Sequence, residues 1–170
     1  MTAGSGSQNS SHEANALLEL YRIDASDLDR VREFAAIAKP KMEATVNEWY
    51  VWLREQPEFN HFFSDESVLG RVRSMQVEYW ELFMTGQVDD DYIARRRRVG
   101  EAHARIGLSR KTYFAGMNMF MELFSHCLEG ESFEGGKRAR MEESVAKLLH
   151  LDTAVVVETY NHLVEETLTA

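Results

Sequence analysis

Apolar residues recur along this chain at three- and four-residue intervals, and no stretch alternates strictly in twos, so the pattern predicts helices throughout. A first helix is expected at about Glu13 to Tyr21. Asp24 or Ser26 is placed to cap a second, running to about Ala38. Pro40 falls where a first-turn proline is tolerated, so a new helix is expected to begin there. Its inward stripe is Met42, Val46, Trp49, Tyr50 and Leu53, and Pro57 marks its end. Residues 56–67 (QPEFNHFFSDES) read as a loop with buried aromatics, Phe59, Phe62 and Phe63. Ser64 or Asp65 opens the next helix, with the stripe Val68, Val72, Met75, Tyr79 and Phe83, closing at Gly86. Asp89 to Asp91 set acidic residues at a helix start, where the macrodipole favours them. That helix carries Arg95 to Arg98, then Val99, His103 and Ile106, and Gly107 ends it. Ser109 caps a further helix with the stripe Tyr113, Met117, Phe120, Phe124 and Cys127/Leu128, widened by Phe114 and Met121. After a loop at 131–138, a last helix is expected from about Met141 to the C-terminus. Seven or eight helices without a strand place the chain in the all-α class.

Length and composition narrow the picture. The chain has 170 residues and only two prolines, enough for one sizeable core. Residues 1–12 are Gly/Ser-rich, a disordered or artificially added lead, and residues 13–170 form one domain. Lys plus Arg is 19 against 28 for Asp plus Glu, a formal net charge of −9, which argues against a nucleic-acid partner. The single cysteine, Cys127, excludes an internal disulfide and any multi-cysteine metal site; on its apolar stripe it reads as a small buried hydrophobe. No run has transmembrane length and no signal-peptide core is present, so the expected address is the cytoplasm, with no membrane partner.

Among six histidines, His103 combines an apolar face with a helix C-terminus, with Val99 and Ile106 at i−4 and i+3. A helical histidine of this kind donates one ring N–H to the carbonyl four residues back, here Val99, and leaves its other nitrogen as an acceptor or metal ligand. A satisfied core histidine is the plainer alternative. The Arg95 to Arg98 run reads as a solvated face with i,i+4 pairs such as Asp91–Arg95, or as the source of one arginine for an anionic cofactor group. Glu158, His162 and Glu166 share a helical face, as many solvated residues do. A di-iron bundle needs Glu-x-x-His twice, and this chain does not carry it twice. Hydrolase signatures and a Gly-rich phosphate loop are absent.

Two strings carry more. RRRRVGEAHARIGLSRKTYFAGM (Arg95 to Met117) resembles the proximal-histidine segment of globin-coupled sensors, the haem domains of bacterial gas-sensing proteins of protoglobin-like lineage. NEWYVWLREQPEFNHFF (Asn47 to Phe63) resembles their distal-tyrosine segment, and the Tyr50-to-His103 spacing fits without a gap. LLHLDTAVVVETYNHLV is similar to their last helix, and the likeness runs from about Ala16 to Thr167.

The resemblance implies a globin fold with an extra N-terminal helix and a short or missing D helix, around haem b (iron protoporphyrin IX). His103 would be the axial metal ligand and Tyr113 the tyrosine packing near it. Tyr50 would be the distal hydrogen-bond donor, favouring dioxygen, whose outer atom gathers negative charge, over carbon monoxide. Val72 and Met75 match the helix positions that face the ligand. Met75 stands where several relatives carry Thr or Ser, so Tyr50 is expected to act alone and to retain dioxygen less well. Phe62 and Phe63 match an aromatic pair, one of which packs on the haem face.

The implied function is a dioxygen sensor domain, with carbon monoxide and nitric oxide as further ligands. It is not itself an enzyme, and it signals through its last two helices to a C-terminal output module not on this chain. The chain stops in a helix, EETLTA, as a sensor domain of a longer protein would. The apolar faces from Tyr113 to Leu128 and from Leu148 to Val156 fit a homodimer through these helices, or core packing alone. Two other functions compete: a stand-alone globin enzyme, such as a nitric oxide dioxygenase fed by an external reductase, and a helical interaction domain without cofactor.

Overall fold

Short polar side chains start the helices, and a positive-φ glycine stops one of them. The computed structural model describes residues 12–63 and 65–169, and these form α1 (His12–Leu20), α2 (Ala25–Ala38), a 3-10 turn (Lys39–Lys41), α3 (Met42–Arg54), α4 (Phe59–Phe62), α5 (Glu66–Met84), α6 (Asp90–Ile106), α7 (Arg110–Cys127) and α8 (Lys137–Thr169). There is no strand among the described residues. Of the expected lead, residues 1–11 lie outside the described residues, as does Ser64, while His12 opens α1.

Asp24 accepts the Asp27 N–H at 2.9 Å and Asp27 accepts the Asp24 N–H at 3.0 Å, a reciprocal box that starts α2. Asp65, Asp89 and Ser109 cap α5, α6 and α7 through the N–H groups of Ser67, Tyr92 and Thr112. Pro40 sits in the 3-10 turn that leads into α3. Gly107, at φ 73°, takes the left-handed conformation that ends α6.

α8 packs along α6 and α2, and α3 packs on α7 and α5. The core centres on an aromatic cluster: Trp80 lies 4.5 Å from Phe120 and 4.8 Å from Phe124 between ring centroids, and Trp49 stacks on Phe120 at 5.0 Å. Trp49 donates its indole N–H to the Gly116 carbonyl at 2.9 Å, pinning α3 to α7. No helix among the described residues is long and apolar enough to cross a membrane.

Several expectations are corrected. The 56–67 stretch contains a helical turn, α4, and its aromatics are only half-buried, because they border a cavity rather than the core. α8 begins at Lys137, four residues early. Arg96 is 1 % exposed, not on a solvated face, because its charge meets that of Asp152 inside the protein. In α5 the buried residues are Trp80, Phe83 and Met84; of the expected stripe Phe83 is inward, whereas Met75 is 56 % exposed. The apolar faces of α7 and α8 are core: Phe120, Phe124, Leu148, Leu149, Leu151 and Val156 are buried within the chain, so they are not free to pair two copies.

α8 packs tightly against α6 at Gly100, one turn before His103. A Cβ there would lie 2.7 Å from the Val156 carbonyl oxygen and 2.8 Å from the Thr159 Cβ. In an open helix Gly→Ala gains about 1 kcal/mol. Here overpacking of about 1–3 kcal/mol outweighs that gain. Gly100→Ala is therefore expected to lower the urea midpoint of unfolding with an unchanged denaturant slope.

Candidate functional site

Between α3, α4, α5, α6 and α7 lies an apolar cavity of about 390 Å³, within the range of small-molecule and cofactor sites. Val68 and Val72 of α5, Leu53 of α3, Phe59 and Phe62 of α4, and Val99 and Ala102 of α6 line much of it. All six site residues expected from the sequence also border it: Tyr50, Phe63, Val72, Met75, His103 and Tyr113. Met75 and Ile106, both about half exposed, form part of its rim. His61, Glu158, His162 and Glu166 do not line it. His162 instead pairs with Glu166 at 3.2 Å on an exposed face.

His103 is held by its own helix. Its Nδ1 lies 2.7 Å from the Val99 carbonyl oxygen, which can only accept, so Nδ1 carries the proton. Nε2 is then an unprotonated lone-pair donor. Burial holds the imidazole pKa below its ordinary value, and the Val99 hydrogen bond only partly offsets this, so the ring is neutral at pH 7. Tyr113 packs edge-on against it at 5.4 Å between ring centroids, limiting its rotation.

The cavity also gathers unpartnered polar atoms. Among the described residues, five buried side-chain polar atoms have no hydrogen-bond partner, and four belong to cavity-lining residues: Tyr50 Oη, Gln76 Oε1, Trp80 Nε1 and Tyr113 Oη. Each such atom costs about 1–3 kcal/mol. Their concentration here marks a place built for an occupant with polar atoms. Tyr50 is 5 % exposed, and burial pushes its phenol pKa up to about 12, so it is an unionised donor at neutral pH. Tyr113 is shifted upward by the same cause.

Gln76 was not among the residues singled out from the sequence. The signal was present: Gln76, Trp80 and Phe83 follow helical spacing, one residue out of phase with Met75 and Tyr79. A glutamine inside an apolar stripe looks like an outward position until neighbouring helices are in place.

The four arginines of the Arg95–Arg98 run have separate roles. Arg95 pairs with Asp91 at 3.0 Å and Arg97 with Glu13, both on the surface. Arg96 is buried against Asp152. Arg98 is exposed and lines the cavity, the position expected of a partner for an anionic cofactor group.

An all-α chain that wraps an apolar cavity, with a tautomer-fixed histidine on one wall and a buried phenol on another, has the build of a globin. The fold comparison agrees. The globin domain of the Geobacter sulfurreducens globin-coupled sensor matches with a TM-score of 0.79 at 22% identity, over 86% of this chain and 96% of that one. The ferric globin domain of E. coli DosC matches with a TM-score of 0.70 at 20% identity and the same coverage. The sequence model of the protoglobin family matches residues 10–166, and the chain belongs to that family.

Tyr50→Phe removes a buried hydroxyl that has no partner. The ligand-free protein is expected to be no less stable, and up to about 1 kcal/mol more stable. Between the ordinary tyrosine pKa of 10.0 and about 12, the unfolded chain gives up this proton and the folded chain keeps it. Tyr50 therefore contributes a fall in stability as pH rises through that window. Urea unfolding of wild type and variant at pH 9 and pH 11.5 should show a smaller loss in Tyr50→Phe.

Proposed function

We propose that this protoglobin chain is a haem-based gas-sensor domain that binds dioxygen, with carbon monoxide and nitric oxide as further ligands. The observation that carries the reading is the His103 tautomer, with Nδ1 committed to Val99 and Nε2 left free, in the same cavity as the unpartnered Tyr50 phenol. The donor set fits a haem: one neutral imidazole nitrogen, a largely apolar enclosure, aromatic walls, and an arginine at the rim. The globin family implies haem, and haem b suits a chain whose single cysteine, Cys127, does not line the cavity and cannot supply a paired thioether attachment.

A bound haem iron supplies a coordination position for a diatomic gas, and the residues of this chain set what happens around it. His103 Nε2 would hold the iron, and the Val99 hydrogen bond would strengthen it as a donor. Tyr113 keeps the imidazole oriented. Phe63 and Phe62 offer ring faces to the macrocycle, and Arg98 offers a cation to its carboxylates. The Tyr50 phenol donates a hydrogen bond to a ligand whose outer atom gathers negative charge, which distinguishes dioxygen from carbon monoxide. Gln76 lines the cavity one residue beyond Met75 with its Oε1 unpartnered, and with the amide turned over its N–H would stand beside Tyr50 as a second donor. Val72 leaves the space beside these donors apolar.

The reading is a sensor domain and not an enzyme, placed in the cytoplasm, with an output module following α8. Two copies would pair through the outward faces of α7 and α8, where Phe114 is 49 % exposed. The solved globin domains of sensor proteins that share this fold support the reading.

Absorption spectra test it. Wild type titrated with haemin should give a sharp Soret band, a five-coordinate ferrous form on reduction and a split visible spectrum in air, and His103→Ala should lose the axial signature. Haemin binding no tighter than to an unrelated protein, or an unchanged alanine variant, would defeat the assignment. In Tyr50→Phe, dioxygen release is expected to accelerate by about 10- to 100-fold, from a hydrogen bond of about 1.5–3 kcal/mol, with carbon monoxide release nearly unchanged.

A further inference from the structure

Outside the His103–Tyr50 pair, the chain carries a buried charge cluster that gas binding does not use. Asp152, in the middle of α8, is 0 % exposed. Its carboxylate accepts the Tyr79 hydroxyl at 3.0 Å, the Tyr92 hydroxyl at 2.7 Å and Arg96 Nε at 2.9 Å. Arg96 Nη2 also donates to the Tyr79 carbonyl at 3.0 Å and to the Tyr92 hydroxyl at 3.2 Å. Its guanidinium lies 3.5 Å from the centroid of the Tyr79 ring and 4.5 Å from that of Tyr92.

Tyr79 is therefore gripped three ways: hydroxyl by α8, carbonyl by α6, ring face by the α6 guanidinium. It also lines the cavity, one turn beyond Met75 and Gln76. Arg96 stands two turns before His103 on α6. One buried carboxylate thus ties the distal wall, the histidine helix and α8 together.

A buried ion pair is weak evidence of a contribution to stability, since apolar residues of similar volume can pack as well. What it adds is rigidity of geometry. Apolar contacts slide with little loss, whereas moving this carboxylate by one ångström breaks charge-assisted hydrogen bonds that nothing else in the core can replace.

We propose that the Asp152–Tyr79–Arg96 cluster is the positioning contact that makes α8 follow the cavity: occupancy that shifts α5 or α6 is transferred to α8 through the Tyr79 hydroxyl. Coupling of this kind is reciprocal, so the arrangement of α8 also sets the cavity wall. The inference rests on the haem-binding reading above.

Hydrogen–deuterium exchange across residues 148–160 tests it, in wild type, Tyr79→Phe and Tyr92→Phe, each with and without haemin. Haemin uptake is read separately from the Soret band. In wild type, haemin is expected to slow exchange of this segment by about fivefold or more. Tyr79→Phe keeps the ring and the Arg96 stack. It should bind haemin within about threefold of wild type and lose more than half of the α8 response. Tyr92→Phe loses a comparable hydrogen bond from a residue that does not line the cavity, and should keep the response. If Tyr79→Phe does not fold, the paired Arg96→Met/Asp152→Leu variant carries the same expectation, since it removes both charges together. An α8 response in haemin-loaded Tyr79→Phe equal to that of wild type overturns the coupling and leaves the haem reading standing. So does a wild type that binds haemin without any α8 response. A wild type that takes up no haemin overturns both.

Discussion

A charge placed where water cannot reach must find all its partners within the protein, and Asp152 does. Tyr79, Tyr92 and Arg96 converge on it from α5 and α6. Removing Arg96 alone costs about 3–5 kcal/mol, because the Asp152 charge is left uncompensated. The crossing of α6 with α8 and the approach of α5 to both are constrained by this one carboxylate. Gly100 permits the crossing by leaving no Cβ between the helices. The position of His103, one turn further along α6, follows from the same docking.

The cavity shows the opposite condition. Tyr50, Gln76, Trp80 and Tyr113 hold buried polar atoms without partners, a few residues from a cluster in which Asp152 is met by three donors. A chain able to satisfy Asp152 so fully has not failed to satisfy these four by poor packing. Leaving donors free around an apolar space is how a fold keeps capacity for a ligand. The same burial that leaves Tyr50 unpaired also keeps it protonated, and the burial that lowers the His103 pKa keeps it neutral. Both effects favour the forms that a gas-binding haem site requires.

Much of this was legible in the residues themselves. Helix starts depend on a short polar side chain reaching an N–H two or three residues on, so the sequence narrowed them to Asp24 or Ser26, Ser64 or Asp65, the Asp89–Asp91 run and Ser109, and among the described residues Asp24, Asp65, Asp89 and Ser109 make the bonds. The His103–Val99 bond spans one turn of one helix, and it too is a local property. In the α7 stripe Tyr113, Met117, Phe120, Phe124, Cys127 and Leu128 are buried as their spacing implied, whereas Phe114, expected to widen it, is 49 % exposed because it lies off that face. Tyr50 was singled out through its sequence neighbourhood, since an inward tyrosine alone is indistinguishable from core, and it lines the cavity.

What the sequence by itself determined is the set of helices, their caps and the tautomer of one histidine, because these arise from contacts within a turn or two of chain. Only the tertiary structure decided that Arg96 is a buried charge among surface arginines, that Gln76 faces the cavity, and that the α8 stripe is core rather than an interface. Each of these depends on a partner tens of residues away: Asp152 lies 56 residues beyond Arg96. Helical periodicity shows which positions share a face. It does not show what that face will meet, and for a polar residue the meeting partner decides whether it is solvated, satisfied or left free.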